Sequence, residues 1–248
     1  GTLNANANLT ATTLNLSAGT LTGTGNLKVT TDFNQTGGSF APTGNIDLTR
    51  SLGNFNFGAF TTGGTIALTT VGALDITITG ALQSSASGLT ATQPAISLAS
   101  GRDIILNAVN LGAITSGGVK LTAANAVNLN NLDVCGGACQ GNNSIAATGN
   151  VDITATAGAI TRSVDDGVSL SGANVTLSAG TNIGNNFGSL IASTLTASAA
   201  TGIDLNTTVT NLSLTNTTSG TAQISNTGAL NLNGVTLGGG SLVINSTG

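Results

Sequence analysis

Hydrophobic positions in this chain recur in pairs separated by one residue: Ile46-Asp47-Leu48, Ile66-Ala67-Leu68, Leu74-Asp75-Ile76 and Ile203-Asp204-Leu205. Two apolar residues two apart share one face of a strand, and the residue between them points the other way. The intervening residues are mostly Asp, Asn, Ser, Thr or Lys. The pattern therefore predicts short strands with one face in a core and one in water. Gly and Asn interrupt it every few residues, which predicts frequent turns. No stretch sustains helical spacing.

A longer period overlies the doublets. Ile104, Val127, Val151 and Val175 each open a strand, at nearly equal steps along the chain. A second track runs Ile96, Val119, Ile145, Val168, and a looser third runs Ile114, Val134, Ile160, Ile183. Three interleaved tracks at one period predict three short strands per repeat. The expected fold is all-β, a right-handed parallel β-helix (β-solenoid) with coils of roughly 20–24 residues. It is expected to form one segment over 1–248, with residues 104, 127, 151 and 175 directly above one another. About eleven coils at ~4.8 Å each would make a rod on the order of 50 Å long. The stretch LQSSASGLTATQP (82–94) predicts a longer excursion. Phe55-Asn56-Phe57 stands where a doublet belongs and is expected to fill the core, with an exposed sugar platform as the alternative; Phe60 fits either reading.

One coil cannot be stable alone. Burying an inward aliphatic side chain is worth roughly 1.5–3 kcal/mol, against a backbone entropy cost of ~1–2 kcal/mol per residue. Stacking adds a continuous core and a continuous hydrogen-bond ladder. Stacking also explains the composition. Charged residues are 6% of the chain and aromatics 2%; His, Trp, Tyr, Met and Glu are absent. Like charges stacked at strand spacing repel, whereas Asn, Thr and Ser ladders do not. A mean hydropathy of +0.32 argues against disorder. A net charge of −4 with no basic run argues against nucleic acid as a partner. No apolar stretch approaches the ~20 residues of a membrane span.

Candidate chemistry is sparse. The only two cysteines, Cys135 and Cys139, lie in VCGGACQG (134–141) and enclose Gly-Gly-Ala, which bends readily. A structural disulfide is expected, pinning a loop without ladder partners in an oxidising setting. Two free thiols are the other reading. A metal site would want more ligands, and a redox pair is usually C-x-x-C. Asp165-Asp166 with Arg162 reads as a solvated turn, with a Ca²⁺ or sugar contact as the sharper alternative. Asp47, Asp75, Asp152 and Asp204 are expected on outward middles, ionised and without catalytic duty. No catalytic, cofactor-binding or metal-ligating residue is expected, and the chain is not read as an enzyme.

The segments GNVDITATAGAIT (149–161), GANVTLSAGTNIG (172–184), SGRDIILNA (100–108) and TGALNLNG (227–234) resemble the repetitive region of filamentous-haemagglutinin-like adhesins, secreted by the two-partner route in Gram-negative bacteria. That resemblance implies a β-helix shaft exposed at the bacterial cell surface. It implies adhesion to a glycan or protein of a host or neighbouring cell. The family's secretion-domain motifs, of NPNG and NPNL type, do not occur, so the chain is expected to be shaft. The alternative is a subunit of a homopolymeric extracellular filament or sheath, self-associating end to end or side by side. The chain opens and stops in mid-pattern, which fits a window from something longer.

Overall fold

The computed structural model describes residues 1–107, 110–113, 115–130, 144–161, 169–184 and 189–248. Among them there is no helix, and every ladder pairing is parallel. The chain winds as a β-solenoid of about eleven turns. Three stacked faces enclose one hydrophobic cluster that runs the length of the described residues.

The first face is unbroken from one end to the other. Its leading column is Leu9, Leu27, Ile46, Ile66, Ile96, Val119, Val151, Val175, Leu195, Leu212, Leu232, each the register partner of the next. Two residues further along each strand runs a second inward column, including Val29, Leu48, Leu68, Leu98, Leu121, Ile153 and Leu177, all fully buried. The doublets are thus the two inward positions of each rung.

The second face stacks Phe55, Ile76, Ile104, Val127 and Ile160. Single bridges then carry it through Ile183 to Ile203. The third face stacks Leu3, Leu21 and Phe40 in one sheet, and Phe60, Leu82, Leu111, Ile145, Leu170 and Leu190 in another.

The tracks read from the sequence need correction at one place. Ile104 does stack on Val127, and Val151 on Val175, but the two pairs lie on different faces. Val127 continues to Ile160, while Val151 rests on Val119. Ile145 likewise partners Leu111, not Val119. The turn from Val119 to Val151 is the longest on the first face, because it carries the cysteine segment. A uniform step across it lands on the wrong face. Coil length varies widely, and the turn from Leu195 to Leu212 is little more than half as long as that from Val119 to Val151. Parallel stacking fixes the rungs and leaves the turns free to vary. Ile160 and Ile183 do stack as expected. Ile114, Val134 and Val168 lie outside the described residues.

The excursion expected after residue 82 is present, and it makes the turn from Ile66 to Ile96 nearly as long. Its tip is a turn in which Gln93 N donates to Thr90 O (3.1 Å) and Thr90 N to Gln93 Oε1 (2.9 Å). Asn150 N donates to Ala91 O at 2.8 Å, so the excursion straps over a neighbouring coil's corner to reach Asn150.

Corners are held by asparagine. Asn26 N donates to Asn8 Oδ1 (3.1 Å), Asn45 N to Asn26 Oδ1 (3.0 Å) and Thr65 N to Asn45 Oδ1 (2.9 Å). Each side chain thus accepts the orphan backbone donor of the next coil. The preceding glycine lets coils approach: a Cβ at Gly44 would sit 2.3 Å from Gly25 O. Asn26→Ala removes one such bond at a solvated corner. The expected loss is about 1 kcal/mol, read as a fall of about 2–4 °C in Tm for a chain of this size.

The few lysines follow the stacking rule. Along the outward column of the first face, Lys28 neighbours Asp47 and Lys120 neighbours Asp152. Lys28 Nζ lies 2.5 Å from Asp47 Oδ2. Opposite charges adjacent in the column attract, where like charges would repel.

Candidate functional site: an aromatic cleft where two ladders stop

Phe33, Phe40, Phe55, Phe57 and Phe60 are clustered in one short part of the sequence. The structure gathers them in one stretch of lumen. Phe33 and Phe55 have ring centroids 6.0 Å apart, Phe40 and Phe60 5.2 Å, and Phe57 meets Phe40, Phe55 and Phe60 edge-on at 5.7–5.9 Å. These tilted and edge arrangements are the favourable ones for phenyl rings. Phe55 and Phe57 are buried, as the doublet reading expected, and so are Phe33 and Phe60; Phe40 is half-buried.

The backbone ladder stops where the rings collect. On the second face, Phe55–Phe57 pairs with Ile76–Ile78 only, and among the described residues no strand pairs on the side toward Phe33. On the third face, Ser39–Pro42 pairs with Thr20–Gly23 only, and Phe60–Thr62 with Leu82–Ser84 only. The first face stays paired through the same region, Leu27 to Ile46 to Ile66. Two ladders of three are therefore open at the aromatic cluster. The result is a cleft of about 530 Å³.

Side chains splice the gap. Arg50 Nη1 donates to Phe33 O (2.9 Å) and Asn34 Oδ1 (3.1 Å), and Nε donates to Gly53 O (3.3 Å). Asp32 Oδ1 accepts from Ser51 N and Leu52 N, each at 3.4 Å. Arg50 thus takes a carbonyl that a neighbouring strand would otherwise occupy. Its Nη2 has no partner among the described residues, and the side chain lines the cleft.

The open edge carries unpaired backbone groups. Successive strand residues turn their N–H and C=O to opposite neighbours. Phe55 N donates to Asp75 O (2.8 Å) and Phe57 O accepts from Thr79 N (2.9 Å). Asn56 therefore turns its N–H and C=O toward the cleft. By the same alternation Thr61, outside the cleft lining, turns its N–H and C=O toward the unpaired side of the third face, since Phe60 N donates to Ala81 O and Thr62 O accepts from Ser85 N.

A second polar cluster lies along the corner before the second face. Asp75 N donates to Asn54 Oδ1 (3.1 Å), Asp103 N to Asp75 Oδ1 (3.2 Å) and Ala126 N to Asp103 Oδ1 (2.8 Å). This ladder places two aspartates in succession. Arg102 offsets them: Nε donates to Asp75 Oδ1 (2.6 Å), Nη2 bonds Asp75 Oδ2, and Asp103 Oδ2 lies 3.7 Å from Nε. Asp75 is not on an outward middle, contrary to the doublet pattern. It is 5% exposed, and the true doublet is Ile76-Thr77-Ile78. The Arg102 hydrogen bonds hold its pKa below the ordinary 3.8, against the opposing effect of burial.

A group with a depressed folded pKa stabilises the fold above its unfolded value, and that contribution disappears as pH falls through the folded value. Asp75 therefore contributes in full above the ordinary aspartate value of 3.8 and loses its contribution below it. Asp75→Asn is expected to lower Tm at neutral pH, and the gap to the wild type is expected to close in strong acid. Thermal melts across the acid range check this; a gap that stays constant with pH would contradict it.

Asp47, Asp152 and Asp204 do sit on outward middles, and Asp204 edges a shallow groove of about 360 Å³ with Asn182 and Gln223. Cys135, Cys139, Arg162, Asp165 and Asp166 lie outside the described residues. The segments that hold them leave the second face at Asn130 and Thr161 and return to the third at Ser144 and Ser169, so they connect the same pair of faces. Among the described residues no helix is long and apolar enough to cross a membrane, and no three His, Cys, Asp or Glu side chains gather as metal ligands. Comparison with protein-family models, with curated proteins and with solved structures gives no match.

Proposed function

We propose that this chain is a shaft segment of a secreted bacterial cell-surface adhesin of the filamentous-haemagglutinin-like kind. It extends a surface structure and contributes many weak contacts along its length. The observation that carries this reading is the first face, which runs uninterrupted through the whole stack. Its outward column, from Thr10 through Ser97, Thr176 and Thr196 to Ser213, is short and polar, and its few charges stand beside opposite ones. Apart from Ala67, this column presents a polar side chain at each coil from Thr10 to Ser213. Linked weak sites gain from effective concentration, by factors of about 10²–10⁴ over one contact.

The partner class is a glycan or protein on a host or neighbouring cell, and the location is outside the bacterium. In that setting Cys135 and Cys139 form a disulfide, which intact-mass analysis before and after reduction reads directly. The test of adhesion is bead binding. Beads densely coated with the chain should adhere to epithelial or bacterial cells, while the free monomer competes poorly. Beads that adhere no better than albumin-coated ones would overturn the reading. Growth of long filaments from the monomer in electron micrographs would instead speak for the filament subunit.

A further inference from the structure

We propose that the aromatic cleft binds an extended peptide segment of a partner protein, which adds as a strand to the edge of Phe55–Phe57 through the backbone of Asn56. This goes beyond the adhesive role and does not depend on it.

Three features of the cleft select this ligand chemistry. The first is the open ladder. Asn56 presents N–H and C=O toward an unpaired side, and Thr61 does the same beyond the next corner. Unpaired strand edges bind extended chains, because the backbone groups of both are complementary. Edges are normally confined to the ends of a solenoid or covered. Here one stands within the stack, opened by two interrupted ladders.

The second feature is where the rings are. Phe33, Phe55, Phe57 and Phe60 are only 1–6% exposed. These four form a floor without an open face, and of the five rings only Phe40, half-buried, keeps part of its surface toward the cleft. Together with Phe40 they fill the lumen, with centroids 5.2–6.0 Å apart across the gap. An added strand therefore has room only for small inward side chains such as Gly, Ala or Ser. A volume of about 530 Å³ lies within the roughly 300–1,000 Å³ of ordinary ligand clefts.

The third feature is charge. Among the described residues Arg50 is the only charged one lining the cleft, and its Nη2 has no partner among them. A carboxylate on the incoming strand would complete that guanidinium through a charge-assisted bond. The favoured ligand is thus a short extended peptide with small inward residues and one acid.

The experiment uses the full chain and a fluorescein-labelled pentapeptide, Thr-Ala-Asp-Ala-Thr, acetylated and amidated, with its Asn-for-Asp version as control. Anisotropy should show saturable binding that the Asn version weakens and that salt weakens further. Two substitutions at one exposed site separate backbone from side-chain recognition. Asn56→Ala keeps the N–H and should leave affinity within about twofold; Asn56→Pro removes the donor on an edge that tolerates proline and should weaken binding about tenfold or more. Amide exchange provides a readout in the unmutated chain, where the Asn56 N–H should exchange fast when free and become protected with peptide. Loss of binding in Asn56→Ala with retention in Asn56→Pro would overturn the proposal in favour of a ligand held by side chains, such as a sugar. No saturable binding, or no change in Asn56 exchange, would overturn it outright. Peptide binding and cell adhesion are separate readouts, so the two readings fail separately.

Discussion

Val151→Asp is expected to yield a chain that does not fold at room temperature. Val151 is fully buried and sits in the middle of the first-face column, with Val119 on one side and Val175 on the other. Its inward neighbour on the strand, Ile153, is also fully buried. A carboxylate at this point enters an aliphatic column with no cation to meet it. An unpaired buried charge costs several kcal/mol. Net stabilities of folded domains are only about 5–15 kcal/mol, so the loss is comparable to the whole. The first face is also the one ladder that runs through the whole stack, so damage here separates the coils on both sides. Thr154→Asp is the control, placing the same side chain on the outward face. Thr154 faces outward on the same strand, and the change should alter stability by less than about 0.5 kcal/mol. Circular dichroism and urea titration of both variants decide the matter. Near-wild-type melting of Val151→Asp would place that residue on the wrong side of the strand.

Phe55→Ala is expected to cost about 3–5 kcal/mol. Phe55 is 2% exposed, stacks on Ile76 and meets the rings of Phe33 and Phe57. In the coil of Ile104, by contrast, all three faces are paired on both sides, so a lost side chain leaves three ladders holding the coil. At Phe55 the ladder toward Phe33 is absent, so the ring itself is a principal contact across the gap. The cavity left behind cannot close by coil-to-coil hydrogen bonding. Phe40→Ala, at a half-buried ring, should cost less. A urea midpoint left near the wild-type value by Phe55→Ala would contradict the view that the rings bridge the break.

Much of the architecture was legible because it depends on period-two alternation, which survives insertions. Ile46, Ile66, Ile104 and Ile203 were readable as inward openings of strands, and each is buried. The turn count was readable because total length averages over long and short coils. Stack membership across residues 131–143 was not readable, because a regular period carries no information about an inserted corner. Asp75 shows a second limit. Leu74-Asp75-Ile76 satisfies the apolar–polar–apolar pattern, and so does Ile76-Thr77-Ile78; only stacking against Phe55–Phe57 selects the latter. The Gly-Asn pairs before strands, at Gly25-Asn26, Gly44-Asn45 and Gly149-Asn150, were a usable signal for laddered corners that doublet counting passes over. The clustering of phenylalanines from Phe33 to Phe60 was a signal that doublet counting passes over. That two ladders stop there was not visible, since backbone pairing between residues a full turn apart leaves no local trace in the sequence.

Coils of unequal length stack rung on rung, and a distance measurement tests this most directly. Ser97 and Ser213 lie on the outward column of the first face, linked through Lys120, Asp152, Thr176 and Thr196. Spin labels at these two positions, in a chain with Cys135 and Cys139 replaced by Ser, should be separated by five rungs. At ~4.8 Å per rung the backbone separation is about 24 Å, and pulsed electron resonance should give one narrow peak near that value once the label arms are allowed for. A broad distribution, or a peak well beyond it, would contradict the stacked solenoid.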